Sequence, residues 1–172
     1  ALNCIMFKTN LYTKHFCTAI LFFGFVVFYP SSYFSQLEII NGGFEDYLGL
    51  PSNSGMLHLT DTWTNSGSLT ANPDYYHMDG LNGGDLPETP LATIDAYDGR
   101  AIVGLEVSRQ SGQNKREYLT GMLSEPLEPG KKYEFSFAIA NGDVHEHSAA
   151  GLGVSHLGVA FTNEPLVQYN RE

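Results

Sequence analysis

The chain has 172 residues, 9 basic and 19 acidic side chains, and a formal charge of −10. So acidic a surface repels phosphate backbones and anionic lipid headgroups, which excludes nucleic acid as a partner and leaves cations and neutral polymers. Both cysteines, Cys4 and Cys17, fall in the first 36 residues, so a disulfide framework is excluded for everything after them.

Residues 1–36 contain no Asp or Glu and read as a signal peptide. Met6 is the expected start, with Ala1–Ile5 as upstream read-through. A basic segment with Lys8 and Lys14 is followed by the apolar run Phe16–Tyr29 and then Pro30-Ser31-Ser32. That run is 14 residues long, short of the roughly 20 a spanning helix needs, so a helical leader is expected rather than an anchor. Cleavage after Ser35 would leave Gln36 first, with Ser31 and Ser32 as rival positions. Export to the cell surface or medium follows. Membrane contact is then expected only through the leader or through a further domain after residue 172.

Residues 37–172 carry the fold. Gly, Pro, Asn, Asp and Ser recur about every ten residues, and no sustained helical period of apolar residues is present, a pattern of short strands and turns. In chain order, strands are expected at Leu37–Asn41, Leu57–Thr64, Asp74–Met78, Arg100–Val107, Glu117–Leu123, Lys132–Ala140 and Leu157–Phe161. In Lys132–Ala140, Tyr133, Phe135, Phe137 and Ile139 alternate with Glu134, Ser136 and Ala138, which gives one large apolar face. In Arg100–Val107, Ala101, Val103, Leu105 and Val107 share a face. The Gly-, Pro- and acid-rich stretch 79–98 reads as a long functional or mobile loop. Seven short strands imply an all-β, antiparallel β-sandwich or jelly roll. The tail 165–172 has no closing apolar strand, so the sandwich is expected to be incomplete at its C-terminus, because an open sheet edge is normally avoided.

Several residue groups have two readings. Tyr75-Tyr76-His77 after Asp74 offers flat rings and polar atoms of the kind that bind sugars, while aromatic rings in a half-buried strand more commonly belong to the core. One of the two tyrosines is expected in the core. Trp63, the single tryptophan, reads as core packing. Asp143-Val144-His145-Glu146-His147 has a His-x-His pair suited to metal, but it follows Asn141-Gly142 and reads as solvated loop. Arg116-Glu117-Tyr118 alternates across a strand, with Arg116 either paired to an acid such as Asp74 or in a surface ion pair. The sequence contains no Gly-x-Ser-x-Gly elbow, no His-Glu-x-x-His and no phosphate loop, and no carboxylate pair stands out, so no enzyme is expected.

Asn41-Gly42-Gly43-Phe44-Glu45, Trp63 some twenty residues on, Asp98-Gly99-Arg100-Ala101 and Leu127-Glu128-Pro129-Gly130-Lys131-Lys132-Tyr133 together resemble jelly-roll, galactose-binding-like carbohydrate-binding modules. Pro73-Asp74-Tyr75, Arg116-Glu117-Tyr118 and Gly158-Val159-Ala160-Phe161 are similar to N-terminal domains of Bacteroidota surface proteins, which continue into OmpA-like or gliding-motality and type IX sorting domains. The resemblance implies a structural calcium ion on Glu45 with carbonyls of the Pro129–Lys132 turn. It also implies contact with glycans or surface polymers through Asp74, Tyr75, Tyr76 and His77. The expected function is a non-catalytic extracellular binding or spacer module. The alternatives are a purely structural domain positioning an outer-membrane or sorting domain, and a fragment of a secreted glycoside hydrolase.

Overall fold

A computed structural model describes residues 2–6, 11–13, 36–67, 71–107, 116–141, 143–145 and 157–166. Among the described residues are eleven short strands: β1 (Leu2–Met6), β2 (Leu11–Thr13), β3 (Gln36–Leu37), β4 (Thr64–Asn65), β5 (Asp74–His77), β6 (Ala92–Thr93), β7 (Ala101–Glu106), β8 (Leu119–Thr120), β9 (Tyr133–Glu134), β10 (Ala138–Ala140) and β11 (Asp143–Val144). They form small antiparallel sheets. The largest has the order β10-β1-β7-β5, beside β3-β2-β9, β11-β6 and β4-β8. The described chain is all-β, and none of its helices is long and apolar enough to cross a membrane.

The centre is the β5–β7 pair, in register Tyr75↔Val103 and Tyr76↔Ile102. Side chains alternate across a strand, so these two pairs point to opposite faces. Each face has its own core. Tyr75, Ala101 and Val103 pack with Phe44, Leu57 and Trp63, while Tyr76 and Ile102 pack with Leu86 and Ile94. Because both faces are covered, all four residues of β5 and the first five of β7 are buried. The second cover comes from 79–98. That stretch is a long connection, as its composition indicates, but Leu86 and Ile94 tie it into the core and it contains β6.

The expected strands fare unequally. Asp74–Met78 and Arg100–Val107 appear as β5 and β7. Leu37–Asn41 shrinks to β3 plus a bridge from Ile39 to Leu123, and Glu117–Leu123 to β8 plus that bridge. Leu57–Thr64 is corrected. Leu57–Leu59 is a 3-10 turn capped by Thr60, whose hydroxyl donates to the Leu57 carbonyl at 2.7 Å; Thr60 is extended and bridges Tyr47, and a strand begins only at Thr64. Lys132–Ala140 breaks into β9 and β10, with Phe135–Phe137 outside any ladder. Leu157–Phe161 is irregular and exposed, having no strand to pair with among the described residues.

Within residues 1–36, Leu2–Met6 and Leu11–Thr13 are strands. β1 pairs antiparallel with β7 on one side and β10 on the other, and β2 pairs with β3 and β9. The apolar run Phe16–Tyr29 lies outside the described residues.

Candidate functional site

The turn Asn41–Glu45 is bonded to several distant segments. The Asn41 amide nitrogen donates to the carbonyls of Asp46 (2.7 Å) and Asp61 (2.8 Å), and its oxygen accepts from the Asp46 N–H at 3.0 Å. The Asn41 carbonyl takes the Trp63 indole N–H at 2.7 Å. Phe44 is fully buried against Trp63, ring centroids 4.9 Å apart, and its carbonyl accepts the Tyr75 hydroxyl at 3.2 Å. Its φ of 62° lies in the left-handed region, a conformation costing about 1–2 kcal/mol for a residue with a Cβ. Burial of the ring and the bonds on either side hold it there.

Glu45 completes this turn. Its Oε1 accepts the N–H groups of Arg100 (2.8 Å) and Ala101 (3.2 Å), clamping the entry to β7. Gly99 makes the approach possible: φ is 73°, and a Cβ there would sit 2.1 Å from Glu45 Oε1. The resemblance implies calcium at Glu45. The atoms meeting Oε1 are N–H donors, whose positive ends oppose a cation, and no three His, Cys, Asp or Glu side chains gather into a metal-holding group among the described residues. This donor set suits a clamp on a turn.

The four residues expected to contact a ligand are placed together on β5 and are buried. Tyr75 and Tyr76 are 0% exposed, Asp74 5% and His77 2%. Both rings therefore belong to the core, one in each cluster, where one was expected. Neither presents a face to solvent. Asp74 Oδ1 accepts the Gly55 N–H at 2.5 Å, and Gly104 opposite it leaves room for the side chain. Arg116, a possible partner for Asp74, is exposed. The Tyr75 hydroxyl holds its proton to well above the ordinary range, mainly through burial, with the Glu45 charge adding to it.

His77 Nδ1 accepts the Asp79 N–H at 3.0 Å, which fixes the neutral ring with its proton on Nε2. Burial lowers its pKa, opposed by the Asp79 and Glu45 carboxylates and reinforced slightly by Arg100. Tyr47 stacks at a tilt 5.1 Å away, and the Arg100 guanidinium bonds the Asp79 carboxylate.

Sequence reasoning singled out Arg116 and Tyr118, but the residue between them matters more. Glu117 is 5% exposed, its Oε1 accepting the Asn72 N–H at 2.9 Å and its Oε2 the Glu106 N–H at 2.7 Å. The alternation that turns Arg116 and Tyr118 outward already turns Glu117 inward. Of the His-x-His segment, His145 bonds the Thr89 carbonyl through Nε2 at 2.8 Å; Glu146 and His147 lie outside the described residues.

A half-open depression of about 510 Å3 lies beside this framework. Leu57, Trp63 and Pro73 form its apolar floor, and the exposed side chains of His58, Asp61 and Thr64 stand at its rim. Its size is within the range of small-ligand sites. Nothing in the sequence pointed to it, because its lining comes from segments that read as a strand and a turn.

No family model, no curated protein and no solved structure matches this chain. The class defined by the fold is therefore an all-β chain of small antiparallel sheets.

Proposed function

We propose that this chain is a non-catalytic module, exported from a bacterial cell, that spaces or attaches surface polymers. One observation carries the reading: Glu45, Asp74 and Glu117, the acids drawn into the framework, each accept backbone N–H groups of distant segments. A carboxylate used in that way holds a turn or a sheet edge and is poorly placed to exchange protons with a substrate. The strongly acidic composition and the leader-like residues 1–36 support the exterior location.

Attachment to neutral glycans, on this reading, uses the depression at residues 48–73 and not the buried rings of β5. Its apolar floor and mixed polar rim suit a polyhydroxylated ligand, which offers both apolar and hydroxyl surfaces. The single tryptophan lines this depression and reports on it. Titration of the full chain against neutral polysaccharides, read by Trp63 fluorescence and by retardation in affinity gels, tests the assignment. A response abolished by Asp61→Ala with Thr64→Ala supports glycan attachment. Silence across the panel removes it and leaves the spacer. Release of reducing sugar would overturn the non-catalytic reading.

A further inference from the structure

The polar side chains lining the depression beside β4 are not all open to a ligand. The Thr60 hydroxyl donates to the Leu57 carbonyl at 2.7 Å and the Thr62 hydroxyl to the Ile40 carbonyl at 3.4 Å. The Asn65 amide donates to the Ala71 carbonyl and accepts from the Gly67 N–H, both at 2.7 Å. His58, Asp61 and Thr64 differ: their side chains are exposed, and none of the three is hydrogen-bonded to another described residue. Their backbone is nevertheless fixed. His58 lies in the 3-10 turn and Thr64 pairs with Thr120, while Asp61 donates its N–H to the Asp46 carbonyl at 2.9 Å and accepts from the Asn41 amide at 2.8 Å. A carboxylate and a hydroxyl thus stand at the rim as a preorganised acceptor and donor.

The floor is more restrictive. Trp63 is 6% exposed, and Leu57 and Pro73 are buried. Phe44 lies against the indole with ring centroids 4.9 Å apart, and Gly121 abuts its benzene half so tightly that a Cβ there would sit 2.8 Å away. A sugar ring that stacks needs an open aromatic face, and this indole has none to offer. The floor therefore suits a small apolar group on a ligand that otherwise stays at the rim. Charge narrows the choice. Among the described lining residues Asp61 is the one carboxylate, with no lysine or arginine beside it. Uronate, sulfate or phosphate substituents would meet that carboxylate with nothing to offset it. An amine would pair with it, but would bring a charge and no apolar group to the floor.

We propose that the depression selects glycans bearing acetamido groups. One such group, small and neutral, carries the three things the site takes: a methyl for the apolar floor, an N–H for the Asp61 carboxylate and a carbonyl for the Thr64 hydroxyl. This inference rests on the glycan reading and names the sugar substituent on which attachment turns.

The test uses the full chain and three β-linked glucose tetrasaccharides, alike except for an acetamido group, an amine or a hydroxyl on the second carbon of each ring. Titrations followed by Trp63 fluorescence and by calorimetry should give the acetamido form a Kd about tenfold below that of the hydroxyl form, the combined effect of a buried methyl and a charge-assisted hydrogen bond. Asp61→Ala, a change at an exposed side chain, should keep the parent's melting temperature and bring the two forms to within about twofold. An undiminished preference in that variant overturns the site. Equal affinity of the parent for the acetamido and hydroxyl forms overturns the selection and leaves glycan attachment standing. Tightest binding of the amine overturns it in favour of ion pairing at Asp61. Silence with all three, alongside a response to another neutral polysaccharide, overturns the selection alone; silence with every glycan removes both readings.

Discussion

Ala101–Leu105 and Tyr133–Ile139 are both apolar segments with strand periodicity, and they meet different fates. The first is buried at every position, between Phe44 and Trp63 on one face and Leu86 and Ile94 on the other. The second is split into β9 and β10, with Phe135 and Phe137 half-buried against each other, Phe161 against Phe135, and Ile139 44% exposed. Alternation specifies that a strand has two faces. Whether either is covered depends on what distant segments bring to it, and β7 receives two covers where β10 receives little. Stability should therefore be concentrated in the residues around β5 and β7.

The largest effect that tests this contrast is Trp63→Ala. Its ring packs on Phe44 and lies so close to Gly121 that a Cβ there would come within 2.8 Å of the ring. Loss of the ring should cost about 4 kcal/mol in chemical denaturation, against less than about 1 kcal/mol for Ile139→Ala. Equal costs would mean that the two regions are equally well packed and would remove the distinction.

Next is Glu117, which ties β7 to the segment before β5 by accepting from Glu106 and Asn72. Glu117→Ala strands two N–H groups and should destabilise by about 3 kcal/mol; Glu117→Gln keeps one acceptor and should cost about half of that. Identical losses in the two variants would show that the side chain acts by volume rather than by its oxygens.

The smallest effect is the pH dependence from His77. Its folded pKa lies below the ordinary value of 6.5, so below that value the unfolded chain binds a proton that the folded chain refuses. Its contribution is thus intact above about pH 6.5 and is lost as the pH falls through that value toward the lowered one. Melting temperatures followed from pH 7.5 to 5 should decline more steeply for the parent than for His77→Gln. Parallel curves would assign the acid sensitivity to other groups.

Much of the centre was legible in the sequence. β5 and β7 follow from their apolar runs and flanking turns, and the core position of Trp63 from its being one large ring in a β-rich chain. The double burial of β5 was not legible, because the cover over Tyr76 comes from 86–96, a Pro- and acid-rich stretch that reads as loop. The 3-10 turn at Leu57–Leu59 was hidden for a similar reason: local propensity allowed a strand, and the bond from Thr60 to Leu57 decided otherwise. Glu45 was visible as a notable acid, but its partners lie more than fifty positions away, where no local pattern reaches. The burial of Asp74, Tyr75, Tyr76 and His77 likewise depends on both covering layers. Only the full set of packed segments distinguishes such a core strand from an aromatic platform.

The clamp from Glu45 to Arg100 spans 55 positions. A chain made from its N-terminus, or threaded through a narrow pore in that direction, presents the Asn41–Glu45 turn long before β7 emerges to receive it. During that interval Phe44 lacks Tyr75, Ala101 and Val103 around it, and its left-handed backbone has little to hold it. The turn should therefore mature late, in one step with arrival of the central strand, and slow folding set by loop closure should be the signature of this architecture.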